Sequence, residues 1–439
     1  MASDTHRNGS FSSSLGFVLA CVGSAVGLGN IWLFPYRLGQ YGGGAFLVPY
    51  LLFVTLFGWV GLSAEFGIGR LAHTGTLGAY AFCFQSRNQE RAGRILGWIP
   101  LMGSLGIAVG YAIIVGWVVR SAAGAATGAL LSQPDFFSQA TGSFGSLPWH
   151  VLVVVLVCLL LFTGAAGRIE KVNKIMMPLF FLLFLVVAVR VAFLPGAGEG
   201  YRFLFAPDWS ALLDPFTWVM AMGQAFFSLS ITGSGMIVYG AYLGRDADIP
   251  GAALRTAFFD TCAALLSALA IMPAVFSFGI DPSAGPSLLF ITLPGIFAKM
   301  PLGRVFAVLF FISVIFAGLT SLVNMFEAVC ESWQHRFRLS RTAAVLLCGG
   351  IVLGAGIFLE AEPLVGAWMD FITIVVVPIG AMLGAVAVYY VLGWPVIRRE
   401  LELGRQKPLS RFFGPCAKYL YVPLTVVILI LGFVFHGIG

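Results

Sequence analysis

The sequence predicts an all-α protein that crosses a membrane many times, on three observations. Of its 439 residues, 59% are hydrophobic and only 10% charged, against about 25% charged residues in an average soluble domain. The apolar residues gather into eleven runs long enough to span a bilayer. The first and sixth runs carry glycines, serines and other polar residues at mid-depth, where each unpaired backbone group costs several kcal/mol.

The runs fall at 11–38, 43–70, 94–126, 148–166, 172–194, 211–244, 250–279, 302–334, 342–360, 363–395 and 416–437. An odd number of spans puts the two ends on opposite sides. With the N-terminus inside, inner segments hold nineteen Lys/Arg and outer segments six (Arg37, Arg120, Arg190, Arg202, Lys299 and Arg304). The positive-inside rule therefore places the N-terminus in the cytoplasm and Gly439 outside. The expected organisation is a cytoplasmic tail (1–10), a first set of five helices (11–195), a second set of five (196–397), a cytoplasmic loop (398–415) and an eleventh helix (416–439).

The net charge of +6 is spread over short loops, so no nucleic-acid partner is implied. The seven cysteines form no CxxC pair and the five histidines no HExxH, so metal catalysis finds no support. The polar start, Met1 to Ser10, leads straight into the first long span, with no cleavable signal. No nucleophile, base and orienting group occur together, so an enzyme is not expected.

The interrupted spans match in position. The first reads "GSAVGLGNIWLFPY" (23–36), with Gly27-Leu28-Gly29 at its midpoint; the sixth reads "FFSLSITGSGMIVYGAYL" (226–243), with Gly233-Ser234-Gly235. Equivalent positions are offset by five helices, an odd number, so the second set of five is upside down relative to the first. That is the pattern of inverted repeats with discontinuous helices at their interface. Small residues can also serve close helix packing. An unwound stretch frees carbonyls for a small cation and helix N-termini for an anion, and bound ligands would offset the missing hydrogen bonds.

At these residues the chain resembles the neurotransmitter:sodium symporter family, whose members have the LeuT fold. The resemblance rests on "GSAVGLGNIWLFPY", "GGGAFLVPY", "GQAFFSLS", "YGAYL", "DADIPGAALRTAFFDT" and "FAGLTS", in that order along the chain. It implies a 5+5 inverted repeat with broken helices 1 and 6, plus an eleventh helix, in the plasma (inner) membrane. It further implies a sodium-coupled amino-acid symporter working by alternating access, with two sodium ions. A sodium-dependent sensor with little transport, or a symporter for another small carboxylate-bearing solute, stays open.

By the resemblance, one sodium site uses the carbonyls of Gly23, Val26 and Ala317 with the hydroxyls of Thr320 and Ser321. Read alone, these two hydroxyls would bond back to their own helical turn. The other site uses the Ala25 carbonyl, Asn30, Ser228 and Asp260. The substrate pocket is expected from Ser24, Ala25, Gly27, Gly29, Ile107, Tyr111, Phe227, Ser228, Ser230, Gly233, Ser321 and Met325. The Tyr111 hydroxyl and the Leu28 and Gly29 amides would hold a carboxylate, and Phe227 would close over it. Monoamine carriers have an aspartate where Gly27 stands, so a ligand that brings its own carboxylate is implied.

Several positions depart from the family. Tyr50, Gln224 and Ser228 match parts of its chloride site, but Ala264 replaces a serine and Asp260 stands where many relatives have an amide. Chloride independence is therefore expected, and a proton could alternate with sodium at Asp260. The usual outer-gate arginine is replaced by Leu33; Asp370 remains, with Arg37 one turn on as a substitute partner. At the inner gate Phe11 is the expected plug, Arg7 or Asn8 its basic neighbour, and His335 takes the usual acidic position with Glu331 one turn earlier. Pro178 leaves the Lys174 carbonyl without its helical donor.

Overall fold

A computed structural model describes residues 11, 13–133, 135–162, 166–279, 288–435 and 437, which are mostly helical and include no strand. The helices used below are α1 (Ser14–Ala25), α2 (Gly29–Gln40), α3 (Gly43–Ala72), α4 (Thr76–Gln85), α5 (Glu90–Thr127), α6 (Leu147–Leu161) and α7 (Ala166–Ala192). They continue with α8 (Pro215–Ser228), α9 (Gly235–Ala241), α10 (Ile249–Ser277), α11 (Gly303–Phe337), α12 (Arg341–Leu359), α13 (Glu362–Glu402) and α14 (Phe413–Val434). Among the described residues, eight helices are long and apolar enough to cross a membrane, and α1 with α2 makes a ninth span bent by 60°.

The other two expected spans are helical but fail as single long helices. The fourth is the 15-residue α6, and residues 163–165 of that expected span lie outside the described set. The sixth is divided into α8 and α9 by the non-helical stretch 229–234. Ser13 caps α1 by accepting from the Gly16 amide, and Asp214 and Asp248 cap α8 and α10 in the same way. Each cap satisfies an amide that has no intrahelical partner.

Burial sorts the helices into an interior and a rim. The most apolar stretch of α5 is 89% buried, whereas those of α7, α12 and α14 are only 33% buried. Glycines let neighbours close on α5: a Cβ on Gly106 would sit 2.5 Å from Ile372, and one on Gly110 2.5 Å from the Met369 sulfur. Such small-residue contacts replace the hydrophobic drive that is absent between helices in lipid. The α5–α11 pair forms the central contact, α1 packs on α7, α10 and α11, and α9 packs on α3. Both helix breaks therefore lie inside the protein, and α7 runs unbroken through Pro178.

Candidate functional site

The first break begins where Val26 turns extended (ψ 113°) after the last residue of α1. The amides it releases are met by side chains. The Gly27 amide donates to Asn30 Oδ1 at 3.0 Å, and the Leu28 amide donates to the Tyr111 hydroxyl oxygen at 2.9 Å. Tyr111 thus accepts from the broken helix and keeps its own proton for a further acceptor. Leu28, expected to offer its amide to a ligand, spends it on Tyr111 and lies outside the lining of the central cavity.

The second break starts at Leu229, four residues before the glycine pair. Ser230 sits at φ 53°, a left-handed conformation rare outside glycine. Its hydroxyl donates to the Ser24 carbonyl at 3.2 Å and so ties the two breaks together. Gly233 (φ 73°) does not line the cavity, contrary to the sequence expectation. Its amide donates to Glu65 Oε1 at 2.8 Å, and a Cβ there would meet the Gly380 carbonyl at 2.4 Å. Glu65 is buried on α3 and places a carboxylate at the start of α9, where the helix dipole favours negative charge.

Between the breaks lies a cavity of about 50 Å³, room for a few water-sized groups. Of the expected pocket residues, Ser24, Ala25, Gly27, Gly29, Ile107, Tyr111, Phe227, Ser228, Ser230, Ser321 and Met325 all line it. Ser104, Thr232, Gly235, Asn324 and Val377 line it as well. Phe227 lies between it and a vestibule of about 170 Å³ that is also lined by Trp32, Leu33 and Asp370. The Phe227 ring packs on Gly29, where a Cβ would come within 2.9 Å of it.

Two oxygen clusters flank the cavity. In the first, the Ser321 hydroxyl lies 3.3 Å from the Gly23 carbonyl and 3.1 Å from those of Val26 and Ala317. One hydroxyl proton cannot serve three acceptors at once, whereas a hard cation can be held by several oxygens together. Thr320 bonds back to the carbonyls of Phe316 (2.9 Å) and Ala317 (3.1 Å). Gly23 abuts Thr320, with its missing Cβ 3.1 Å from the Thr320 Cβ.

The second cluster centres on Asp260, which is fully buried. Asn30 Nδ2 donates to Asp260 Oδ1 at 2.7 Å and to the Ser228 hydroxyl at 2.9 Å, and Ser228 donates to Asp260 Oδ2 at 2.6 Å. Both carboxylate oxygens accept hydrogen bonds, yet among the described residues no Lys, Arg or His pairs with Asp260. A buried charge of this kind calls for a counter-cation or a proton. The Asn30 amide nitrogen, rather than its oxygen, faces this cluster; Ala25 joins it only as a wall of the cavity. Nearby, Tyr50 Oη and Gln224 Oε1 are buried with no hydrogen-bond partner among the described residues.

Arg37 and Asp370, expected to pair as an outer gate, do not meet. Arg37 points one guanidinium nitrogen at the Tyr41 hydroxyl (3.5 Å) and the Met220 sulfur (3.6 Å) and lies over the Tyr36 and Tyr41 rings. Asp370 is exposed in the vestibule, and no ion pair joins the two among the described residues. At the opposite end Phe11 is caged edge-on by Phe17, Tyr239 and Tyr242. Arg7 and Asn8 lie outside the described residues. His335 is exposed beside a cleft at the same end as Phe11 and forms no ion pair there among the described residues.

The charge network at that end is built on other residues. Glu327, fully buried, accepts from Arg341 at 3.0 and 2.5 Å and from the Tyr242 hydroxyl at 2.5 Å, linking α11, α12 and the end of α9. Glu331 accepts from the Gly75 amide at 2.6 Å and Thr74 at 3.2 Å. Arg70 joins Glu400 and the Ala247 carbonyl. A carboxylate or guanidinium inside an apolar span is the one sequence signal that marks Glu65, Arg70 and Glu327. Arg341→Met would strand Glu327 as a buried anion. It is expected to lower stability by about 3–5 kcal/mol, read as a drop in melting temperature of the purified protein; an unchanged melting point contradicts this.

Comparison with known proteins places this geometry. The family model of the sodium:neurotransmitter symporter family matches residues 8–132 and 131–436. An uncharacterized sodium-dependent transporter, YhdH, of Bacillus subtilis is 37% identical over 350 residues, covering 77% of this chain and 76% of that protein. The uncharacterized sodium-dependent transporter MJ1319 of Methanocaldococcus jannaschii is 30% identical over 422 residues, covering 90% and 84%. The crystal structure of MhsT in complex with L-phenylalanine superposes with a TM-score of 0.84 at 32% identity, over 96% of this chain and 99% of that one. With a family match over nearly its whole length and LeuT-fold architecture, the chain belongs to the sodium:neurotransmitter symporter family, and it is a transporter rather than an enzyme.

Proposed function

We propose that this protein is a sodium-coupled symporter that imports an amino acid across the plasma membrane by alternating access, with its N-terminus in the cytoplasm. The observation that carries the reading is the meeting of both helix breaks at one cavity flanked by two oxygen clusters. The likeness to MhsT, solved with an amino acid, supports the substrate class. The Ser321 cluster would take one sodium ion through Gly23, Val26, Ala317 and Thr320. The Asp260 cluster would take the second through Ala25, Asn30 and Ser228, with Asn30 turning its oxygen toward the ion.

The substrate carboxylate would lie beside Gly27 and Gly29, accepting the Tyr111 proton. A Cβ on Gly27 would stand 2.5 Å from Tyr111 Oη and 2.9 Å from Ser321 Oγ, so only glycine leaves that space free. Phe227 would cover the bound solute from the vestibule side. Each ion moving down a tenfold gradient and 100 mV supplies roughly 1.4 + 2.3 kcal/mol. Two ions give about 7 kcal/mol, enough for an accumulation on the order of 10⁵-fold.

Chloride independence follows from the same cluster. The Ser228 proton is committed to Asp260, and Ala264 offers no hydroxyl, so the fixed carboxylate supplies the negative charge an anion would bring. Proteoliposomes with sodium outside and potassium inside are expected to accumulate one or more common amino acids, and replacing chloride by gluconate should leave the rate unchanged. Sodium-dependent binding without accumulation would instead favour a sensor, and loss of uptake without chloride would refute the Asp260 argument.

A further inference from the structure

A second cavity lies at the cytoplasmic end in the proposed orientation, between α4, the start of α5 and the end of α11, with a volume of about 590 Å³. Four basic side chains face it: Arg94 from α5, and His335, Arg336 and Arg338 from the end of α11. Glu90, its only acidic lining residue among the described residues, is already paired with Arg94 one helical turn away. The neighbouring Glu331 is engaged with Gly75 and Thr74. Among the described residues no carboxylate pairs with His335, Arg336 or Arg338. Leu77, Ala81 and Phe82 of α4 add apolar surface to the lining, beside the polar Thr74 and Gln85.

Basic residues at the end of a helix complement its dipole, and inner loops are basic in general. Neither accounts for a cleft of this size between α4, α5 and α11. Arg338 ends α11 at φ 55°, a left-handed position where glycine or asparagine is usual. Two guanidinium groups without a carboxylate partner, Arg336 and Arg338, beside the Glu90-paired Arg94 and some apolar surface are a recognition arrangement for phosphate oxygens carried on a partly apolar molecule.

We propose that this cleft binds a phosphate-ester anion, the chemistry shared by an acidic phospholipid headgroup and a soluble glycerol phosphate. Occupation would bridge α5 and α11 one helical turn from Glu331, where the end of α11 is already tied to the α3–α4 connection. The proposal depends on the transport reading only for the membrane leaflet concerned, and its test reads binding alone.

The full-length protein in neutral detergent would be titrated with phosphatidylglycerol, phosphatidylcholine or glycerol 3-phosphate while its melting temperature is followed. Phosphatidylglycerol is expected to raise the melting temperature in a saturable way and phosphatidylcholine to leave it unchanged. Arg336→Gln with Arg338→Gln should weaken the apparent affinity about 30-fold, two basic residues' worth of attraction to an anionic surface. Should that double variant fold poorly, Arg336→Lys with Arg338→Lys retains the charge and should retain most of the shift, while the single Arg336→Gln should lose part of it. A glycerol 3-phosphate shift lost in the same variants assigns the site to a soluble ester, and a shift with phosphatidylglycerol alone assigns it to lipid. No shift with either anion, or equal shifts in wild type and the glutamine variants, overturns the proposal.

Discussion

Asp260→Asn is expected to raise the sodium concentration needed for half-maximal uptake by about 10- to 100-fold, and Asp260→Ala to abolish uptake. The asparagine keeps the size of the side chain but removes a formal charge that no described cationic side chain balances. Full attraction at contact would exceed this figure, and partial screening in a polar, hydrogen-bonded cluster brings it to about 1.4–2.8 kcal/mol. The alanine also strands the Ser228 hydroxyl and the Asn30 amide, which both donate to the carboxylate. If a proton takes the place of sodium at this carboxylate, acidification should compete with sodium in the wild type, so that its apparent sodium affinity falls as pH falls. The asparagine variant, with nothing to protonate, should lose that dependence. Uptake by Asp260→Asn at wild-type sodium concentrations would show that the charge of Asp260 does not hold the ion, and retention of the pH profile would remove the proton.

Gly27→Asp should have the largest effect on the solute. Its Cβ alone would stand 2.5 Å from the Tyr111 hydroxyl oxygen, and its carboxylate would fill the space assigned to that of the substrate. Amino-acid binding is expected to fall by more than about 100-fold, since a charge-assisted contact worth about 1.5–3 kcal/mol is lost and like charge is added. Gly27→Ala separates the two causes. It brings the steric conflict without the charge, so a milder loss is expected than with aspartate. Wild-type affinity in either variant, measured by equilibrium binding in saturating sodium, would show that the carboxylate lies elsewhere.

Local features were legible in the sequence because they are written in contiguous residues. Gly27-Leu28-Gly29 marked the first break, and Ser321 of "FAGLTS" stands beside the Gly23 carbonyl of α1. The second break was legible only in part. Ser230 adopts a left-handed turn that glycine would ordinarily take, so unwinding begins at Leu229, and Gly233 turns toward Gly380 instead of the cavity. Nothing in the order of residues tells a serine in that conformation from one in a helix.

Interactions between distant residues were not legible. Glu65 and Gly233 are 168 positions apart, and Arg70 and Glu400 are 330 apart. Each can be paired only once the helices are placed. The substitute gate failed to form for a related reason. Helical spacing brings Arg37 one turn from Leu33, but spacing does not fix where a long side chain points. In the structure Arg37 turns to Tyr41 and Met220, away from Asp370. Likewise His335, matched by position to an acidic gate residue, faces the basic cleft, while Glu327, Tyr242 and Arg341 form the network at that end.

The most direct test of the central claim, that two interrupted helices hold cation and solute in one shared site, is the coupling between their equilibrium affinities in the purified protein. With an amino acid that the protein accumulates, saturating solute should tighten sodium binding about tenfold or more, and sodium should tighten solute binding by the same factor. Affinities that are each indifferent to the other ligand would contradict a shared site at the meeting of α1 and α2 with α8 and α9.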